Sequence, residues 1–329
     1  MESNVLGNKS TMPVPAVDGV NIPESVQERG WEDLLKLFLS SIDVKDTSRE
    51  LYYWGLVQYF KWAEKNHFCI KAMTPADIIS FKSYLAKKRL SPLTVSAYLT
   101  AVRQFYAWTE ANLYYPNIAR SVRSPKGKKG FKKKHLTPQE IEALLKFAKA
   151  RSLRDYAIIN LILRTGLRTI EVARADVCDI VHMDGRRVMK IWGKGRDCKD
   201  AFVILNDAAW MPIKEYLDSR GETDRHDPLF VTEGKGHRGV RMSPRLIQYL
   251  CKECMRGIGL DNHRYSAHSL RHTTAVMILL GGGDWKAVQT VLRHSSPAVS
   301  QVYTESIEEE VHLKSNPEAF LENALNNDL

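Results

Sequence analysis

Six residues spread along the chain have the types needed for one reaction. They are Arg168, Lys194, His268, Arg271, His294 and Tyr303. The reaction is attack of a tyrosine on a phosphodiester without a metal ion. A phosphodiester under attack gathers negative charge on its non-bridging oxygens. Arginine is planar, permanently charged and can bond two oxygens at once. Arg168 and Arg271 could therefore clamp the phosphate, and donors preorganised where charge develops are usually the largest catalytic term. A phenol has a pKa of about 10, so its phosphate ester keeps the bond energy for a second attack. The leaving 5′ oxygen needs a proton, which Lys194 could deliver as general acid. His268 could help deprotonate the tyrosine, and His294 could donate to a phosphate oxygen.

Each position has a rival. Arg164 lies about one helical turn before Arg168, on a similar face. Arg168 is preferred because it follows Thr165-Gly166-Leu167 and precedes an acid, Glu171, at the third position on. Lys199 occupies the same loop as Lys194 and competes for the general-acid role. Tyr265 and Tyr249 are other tyrosines of the region, but only Tyr303 has a histidine nine positions before it. His272, next to Arg271, reads as structural. A single H-x-x-R is common by chance, whereas the order and spacing of the whole set are not.

On these residues the chain resembles the tyrosine recombinases, the family of phage and transposon integrases, Cre and the Xer proteins. The segment Thr165-Gly166-Leu167-Arg168-Thr169-Ile170-Glu171 is similar to the family's first-arginine motif. The resemblance gives Arg168 that role and Glu171 a supporting one. Gly193-Lys194-Gly195 matches the lysine hairpin, and His268-Ser269-Leu270-Arg271-His272 the H-x-L-R-H segment. Leu292-Arg293-His294 matches L-G-H, with arginine where glycine is usual. Tyr303 falls at the nucleophile. The resemblance implies cleavage to a 3′-phosphotyrosine and a free 5′-hydroxyl in a synaptic homo-tetramer on paired DNA half-sites, with neither ATP nor any cofactor. A non-catalytic basic helical DNA-binding protein is the reading from another class. It accounts for the charge but not for Lys194 and Tyr303 together. A type IB topoisomerase shares the chemistry but works without synapsis.

Composition points the same way. The chain has 329 residues and a formal net charge of +10, which favours a polyanionic partner. Eight basic residues and no acid fall between positions 120 and 134: Arg120, Arg123, Lys126, Lys128, Lys129, Lys132, Lys133 and Lys134. With Pro125, Gly127 and Gly130 among them, residues 119–134 read as an extended basic linker that contacts DNA; the bland alternative is a solvated hinge. The first residues lack the basic start and apolar core of a secretory signal. No apolar run is long enough to span a bilayer, so no membrane partner is expected. Five dispersed cysteines suit a reducing, cytoplasmic setting, here a bacterial one beside the nucleoid. Cys251-x-x-Cys254, with His263 and His268 downstream, has the outline of a zinc site. The flanking sequence from Ser243 to Met255 reads instead as a capped amphipathic helix that would turn both cysteines into the core, and no metal is expected.

The elements that must position the six residues form a mainly α fold with a small antiparallel β-sheet. Residues 1–24 are polar and aperiodic, and read as a tail, too short for a separate arm-binding domain. Residues 25–118 carry helical stripes such as Leu51, Tyr52, Leu56, Tyr59 and Phe60, with Thr74-Pro75 and Ser91-Pro92 as helix starts. Four such helices predict a small core-binding bundle whose surfaces would sit in the major groove. Residues 135–310 form the catalytic domain, opened by the capping box Thr137-Pro138-Gln139-Glu140. Within it Ile180–Met183, the turn Asp184-Gly185 and Arg187–Trp192 predict a hairpin, and Ala201–Leu205 a third strand. Helices resume around Leu246, Ser269 and Trp285. Residues 311–329 form an acidic tail, in which Asn316-Pro317 would cap a helix bearing Phe320, Leu321 and Leu325 on one face. That helix would fold on its own domain or pass to a neighbouring protomer.

Overall fold

The computed structural model describes residues 30–69, 72–125, 134–193, 198–234, 239–294 and 296. Lys194 and Tyr303 lie outside the described residues, as do Lys126, Lys128, Lys129, Lys132 and Lys133, and both tails. The chain divides into two compact units, Met1–Lys128 and Lys129–Leu329.

The first unit holds four described helices: α1 (Trp31–Ser41), α2 (Asp46–Lys65), α3 (Pro75–Lys87) and α4 (Pro92–Ala111). The anticipated starts are the observed ones. The Thr74 N–H donates to Asp77 Oδ2 at 2.8 Å, and Ser91 Oγ accepts from the Thr94 N–H at 3.1 Å. Each cap satisfies a donor that the first helical turn cannot. The apolar stripes meet in a core of Phe38, Phe60, Phe81 and Phe105. Two phenols are buried with them, Tyr59 and Tyr106, hydrogen-bonded to each other at 2.7 Å, and burial pushes both pKa values up. Helices α2 and α4 touch at Gly55, where an added Cβ would come within 2.9 Å of the Ala101 Cβ.

The start of the basic segment is folded rather than open, which corrects the linker expectation there. Ala119 and Val122 are buried in the core of the first unit. Lys82 Nζ donates to the Arg123 carbonyl at 2.9 Å, and Arg103 binds the Ser124 hydroxyl. The run of charge drew attention away from the two apolar residues that anchor it. Arg120 and Arg123 stay exposed, Arg120 paired with Glu110 at 2.5 Å.

The second unit begins with α5 (Pro138–Arg151), opened by the reciprocal bonds of Thr137 and Glu140, and α6 (Leu153–Thr165). A short helix, α7 (Thr169–Ala173), leads to the sheet. The strands β1 (Ile180–Met183), β2 (Arg186–Ile191) and β3 (Ala201–Ile204) pair antiparallel in the order β1-β2-β3. Asp184 and Gly185 turn the first hairpin with φ of 46° and 73°, the left-handed pair that a two-residue hairpin requires. Trp192 falls outside β2, and the Arg174 guanidinium lies 5.1 Å over its ring.

Helix α8 (Asp207–Arg220) was not anticipated. Pro212 sits inside it, and a proline there reads as a breaker. Its start is nonetheless capped, since Asn206 Oδ1 accepts from the Ala209 N–H at 3.0 Å. Helices α9 (Pro244–Gly257), α10 (Ala267–Leu280) and α11 (Trp285–Leu292) follow. Among the described residues no helix is long and apolar enough to cross a membrane.

Candidate active site

Helix α6 ends because Gly166 takes φ 61° and ψ 25°, and its N–H donates to the Ile162 carbonyl at 2.8 Å. Arg164 and Arg168 therefore do not share a helical face, contrary to the expectation of a continuous turn. Arg164 stays on α6, held by Asn160 Oδ1 at 2.9 Å. Arg168 becomes the N-cap of α7. Glu171 grips it twice: Oε2 accepts the Arg168 main-chain N–H at 2.8 Å, and Oε1 accepts from Nη1 at 3.0 Å. The Glu171 carboxylate is buried, whereas the Arg168 side chain keeps 34% of its surface exposed.

Arg271 is built differently. It is buried on α10, donating from Nη1 to the Gly166 carbonyl and from Nη2 to the Leu292 carbonyl at 2.6 Å. One guanidinium thus closes the ends of α6 and α11. The fit at that seam is tight, because a Cβ on Gly166 would overlap Leu292 Cδ2. His268 lies one turn before Arg271 on the same helix and is exposed.

The end of α11 supplies the next histidine. Arg293 caps the helix in the left-handed conformation, φ 55° and ψ 47°. Its Nη1 donates to the Val291 carbonyl at 2.8 Å and its Nη2 to Glu171 Oε2 at 2.9 Å. His294 is buried. Burial, followed by the charges of Arg271, Arg168 and Arg293 and by His268, pushes its pKa down to about 4. His294 is therefore neutral near pH 7 and able to offer an N–H without adding charge. His272 is buried beside His135, with ring centroids 5.7 Å apart. Burial, His135 and His268 push it to about 4 as well. Four of the six proposed catalytic positions, Arg168, His268, Arg271 and His294, thus meet around one seam, with Glu171 behind Arg168.

Lys199 is held elsewhere. Its ammonium lies 2.8 Å from Asp176 Oδ2 and 2.7 Å from Asp179 Oδ1. Desolvation opposes its charge, but the two carboxylates outweigh it and raise the pKa. Arg241 shares Asp176 at 2.5 Å. A lysine so committed is a poor proton donor to a leaving group. Asp176, Cys178 and Asp179 are also the one cluster of metal-ligand type among the described residues, and its carboxylates are already taken by Lys199 and Arg241. Cys251 and Cys254 face the core of the unit, and burial pushes the Cys254 thiol up to about 11. Of the rival tyrosines, Tyr265 is buried and Tyr249 is exposed on α9. The sequence reading gave Arg293 no role. Its one signal was an arginine standing where a left-handed helix end favours glycine.

Comparison with known proteins agrees with this architecture. The phage integrase family model matches residues 134–310, and that of the phage integrase N-terminal SAM-like domain matches residues 34–115. The chain belongs to the phage integrase family. Its activity is that of a tyrosine-type site-specific DNA recombinase. It is 29% identical over 272 residues to the tyrosine recombinase XerC of Leptospira interrogans, covering 79% of this chain and 84% of that one. It is 32% identical over 240 residues to XerD of Caulobacter vibrioides, covering 70% and 77%. A crystal structure of the XerH recombinase bound to palindromic difH substrate, after cleavage, shares the fold. The TM-score is 0.69 at 19% identity, over 89% of this chain and 86% of that one.

Proposed function

We propose that the chain cuts and rejoins DNA through Tyr303, using Arg168, Lys194, His268, Arg271 and His294, with no metal, ATP or other cofactor. The Tyr303 oxygen attacks phosphorus and the P–O5′ bond breaks. Lys194 gives its proton to the departing 5′ oxygen, leaving a 3′-phosphotyrosine. The 5′-hydroxyl of a partner duplex then reverses the step and restores the phenol. Arg168 and Arg271 balance charge on the non-bridging oxygens. Neutral His294 donates to one of them, and His268 takes the phenolic proton. Glu171 fixes Arg168, and His272 supports the fold.

The observation that carries this reading is the seam where Arg271 joins the ends of α6 and α11, which puts Arg168 and His294 into one electrostatic neighbourhood. That Lys199 is bound by two carboxylates supports Lys194 as the general acid. The DNA would be double-stranded with paired half-sites, held by a homo-tetramer. Solved relatives described as bound to difH or to lambda core-site DNA support a DNA partner. The exposed arginines Arg120 and Arg123, with Lys126, Lys128, Lys129, Lys132, Lys133 and Lys134, would bind phosphates without reading sequence. Residues 25–118 would grip the core site and residues 135–310 would cut it, in the cytoplasm at the nucleoid. The acidic tail, 311–329, would either pass to a neighbouring protomer or fold on its own domain.

Covalent capture tests the core of this reading. Wild-type protein is incubated with fragments of its own genome and denatured, and the protein-linked fragments are sequenced to find the site. On that site, nicked just beyond the cut phosphate, wild type should accumulate an SDS-stable adduct in EDTA. Tyr303→Phe should bind equally and form none. An adduct with Tyr303→Phe, or a metal requirement, would refute the reading.

A further inference from the structure

We propose that Arg293 is a positioning residue for strand cleavage, which sets the place and the effective charge of Arg168 through the carboxylate they share. The inference rests on the reading of Arg168 as a phosphate-binding arginine. Glu171 has two oxygens and three donors. Oε1 takes Arg168 Nη1, while Oε2 takes both the Arg168 main-chain N–H and Arg293 Nη2. The carboxylate is buried, and 15% of the Arg293 side chain is exposed, so solvent screens this triad weakly. With Arg293 absent, the whole charge of Glu171 would fall on Arg168. The guanidinium would be drawn back toward the carboxylate and would offer less positive charge to a phosphate. With Arg293 present, two cations share one anion, and the excess remains at Arg168, the more exposed of the two.

The backbone points the same way. Arg293 holds φ 55°, a conformation that a residue with a Cβ adopts reluctantly and glycine adopts freely. A residue selected only to end a helix here would be glycine. Arginine stands here against that preference, and its guanidinium reaches a carboxylate 122 positions away. The neighbouring Leu292 carbonyl receives Arg271. Two consecutive residues of one turn therefore address the two arginines separately.

Glycine is accordingly the informative substitution, since it improves the backbone while deleting the ion pair. Purified full-length Arg293→Gly is compared with wild type on the captured site, as the natural phosphate and as a methylphosphonate at the cut position, which lacks the negative charge. On the phosphate, affinity should be unchanged, and cleavage at saturating protein should fall roughly tenfold to a hundredfold, less than for loss of a donor that touches the transition state. On the methylphosphonate the deficit should shrink at least about tenfold, because the charge that Arg168 must balance is gone. Arg293→Lys should recover most of the rate. Arg293→Asn, which tolerates the left-handed turn, should repeat the glycine result and serves if the glycine variant folds poorly. Arg168→Ala is run alongside. If Arg168→Ala cuts the phosphate at the wild-type rate, the reading of the site fails. If Arg168→Ala is slow and rescued by methylphosphonate while Arg293→Gly cuts like wild type, or is equally slow on both substrates, the inference about Arg293 is wrong.

Discussion

Gly166→Ala should damage stability and chemistry together, and the size of the effect follows from the seam. At φ 61° the alanine meets the left-handed penalty, about 1–2 kcal/mol. Its methyl would also overlap Leu292 Cδ2, and overpacking of that kind costs roughly 1–3 kcal/mol. The sum is about 2–5 kcal/mol, which for a domain of this size lowers the melting temperature by roughly 4–20 °C. Relief of the overlap moves Leu292 or Gly166, and both carbonyls hold Arg271, so cleavage should slow as well. Leu292→Ala alone should cost about 2–5 kcal/mol for the cavity it leaves. Because that change makes room for the added methyl, the double variant should fall short of additivity by roughly 1–3 kcal/mol. Urea melts of wild type, both single variants and the double variant measure this coupling. Additive effects within about 0.5 kcal/mol, or a Gly166→Ala melting point within about a degree of wild type, would refute the close-packed seam.

Three further outcomes are expected. Acid should destabilise the second unit through His272 and His294. Both bind protons at about 4 when folded and at about 6.5 when unfolded, so the unfolded chain takes up protons between those values. Their contribution is complete above about 6.5 and lost as pH falls toward 4. Melts at pH 7.5 and 5 should converge in a His272→Asn, His294→Gln double variant, and an unaltered pH dependence would contradict these shifts. Lys199→Ala should lower stability by leaving Asp176 and Asp179 facing each other, while a substrate with sulfur at the 5′ bridging position, which needs no proton on leaving, should rescue Lys194→Ala and not Lys199→Ala. Preferential rescue of Lys199→Ala would transfer the general-acid role. Gly55→Leu should force α2 from α4 and destabilise the first unit by about 1–3 kcal/mol, seen as an earlier melt; an unshifted melt would deny the close crossing.

What was legible in the sequence was mostly local chemistry. Ser91 and Thr137 announce helix starts because their oxygens accept N–H groups of the same turn, and Thr74 because Asp77, three residues on, accepts its N–H and hydroxyl. Asp184-Gly185 announces a hairpin because few dipeptides tolerate its backbone. His268 and Arg271 fall on one helix about a turn apart because the motif spaces them by three residues. The misses came from partners distant in sequence or from a signal with two meanings. The unanticipated helix α8 is started by Asn206 and packs on α6, where Asn160 Nδ2 donates to the Ala208 carbonyl at 2.8 Å. Arg164 seemed equivalent to Arg168 until a single left-handed glycine separated them. Lys199 looked available until Asp176 and Asp179 came beside it. Arg293 was visible only as a departure from a family pattern, since Glu171 reaches it through the fold and not along the chain.

The same separation bears on when the protein becomes able to break DNA. Arg271 reaches back 105 positions to Gly166, and Arg293 reaches 122 positions to Glu171. A chain emerging from the ribosome carries Arg168 and Glu171, which clasps it, early, but lacks Arg293, the second cation on that carboxylate, until position 293 has been made. Folding intermediates are common in chains of this length, and one with α6 formed but α11 undocked would lack His294 and the bond from Arg271 to the Leu292 carbonyl. On the proposed reading such a species would adhere to DNA through its charge without the complete set of groups for cutting it. On the proposed reading, competence to nick would require α10 and α11 to be docked on α6 and would be lost when they detach, so control over a potentially genome-damaging activity would follow from connectivity.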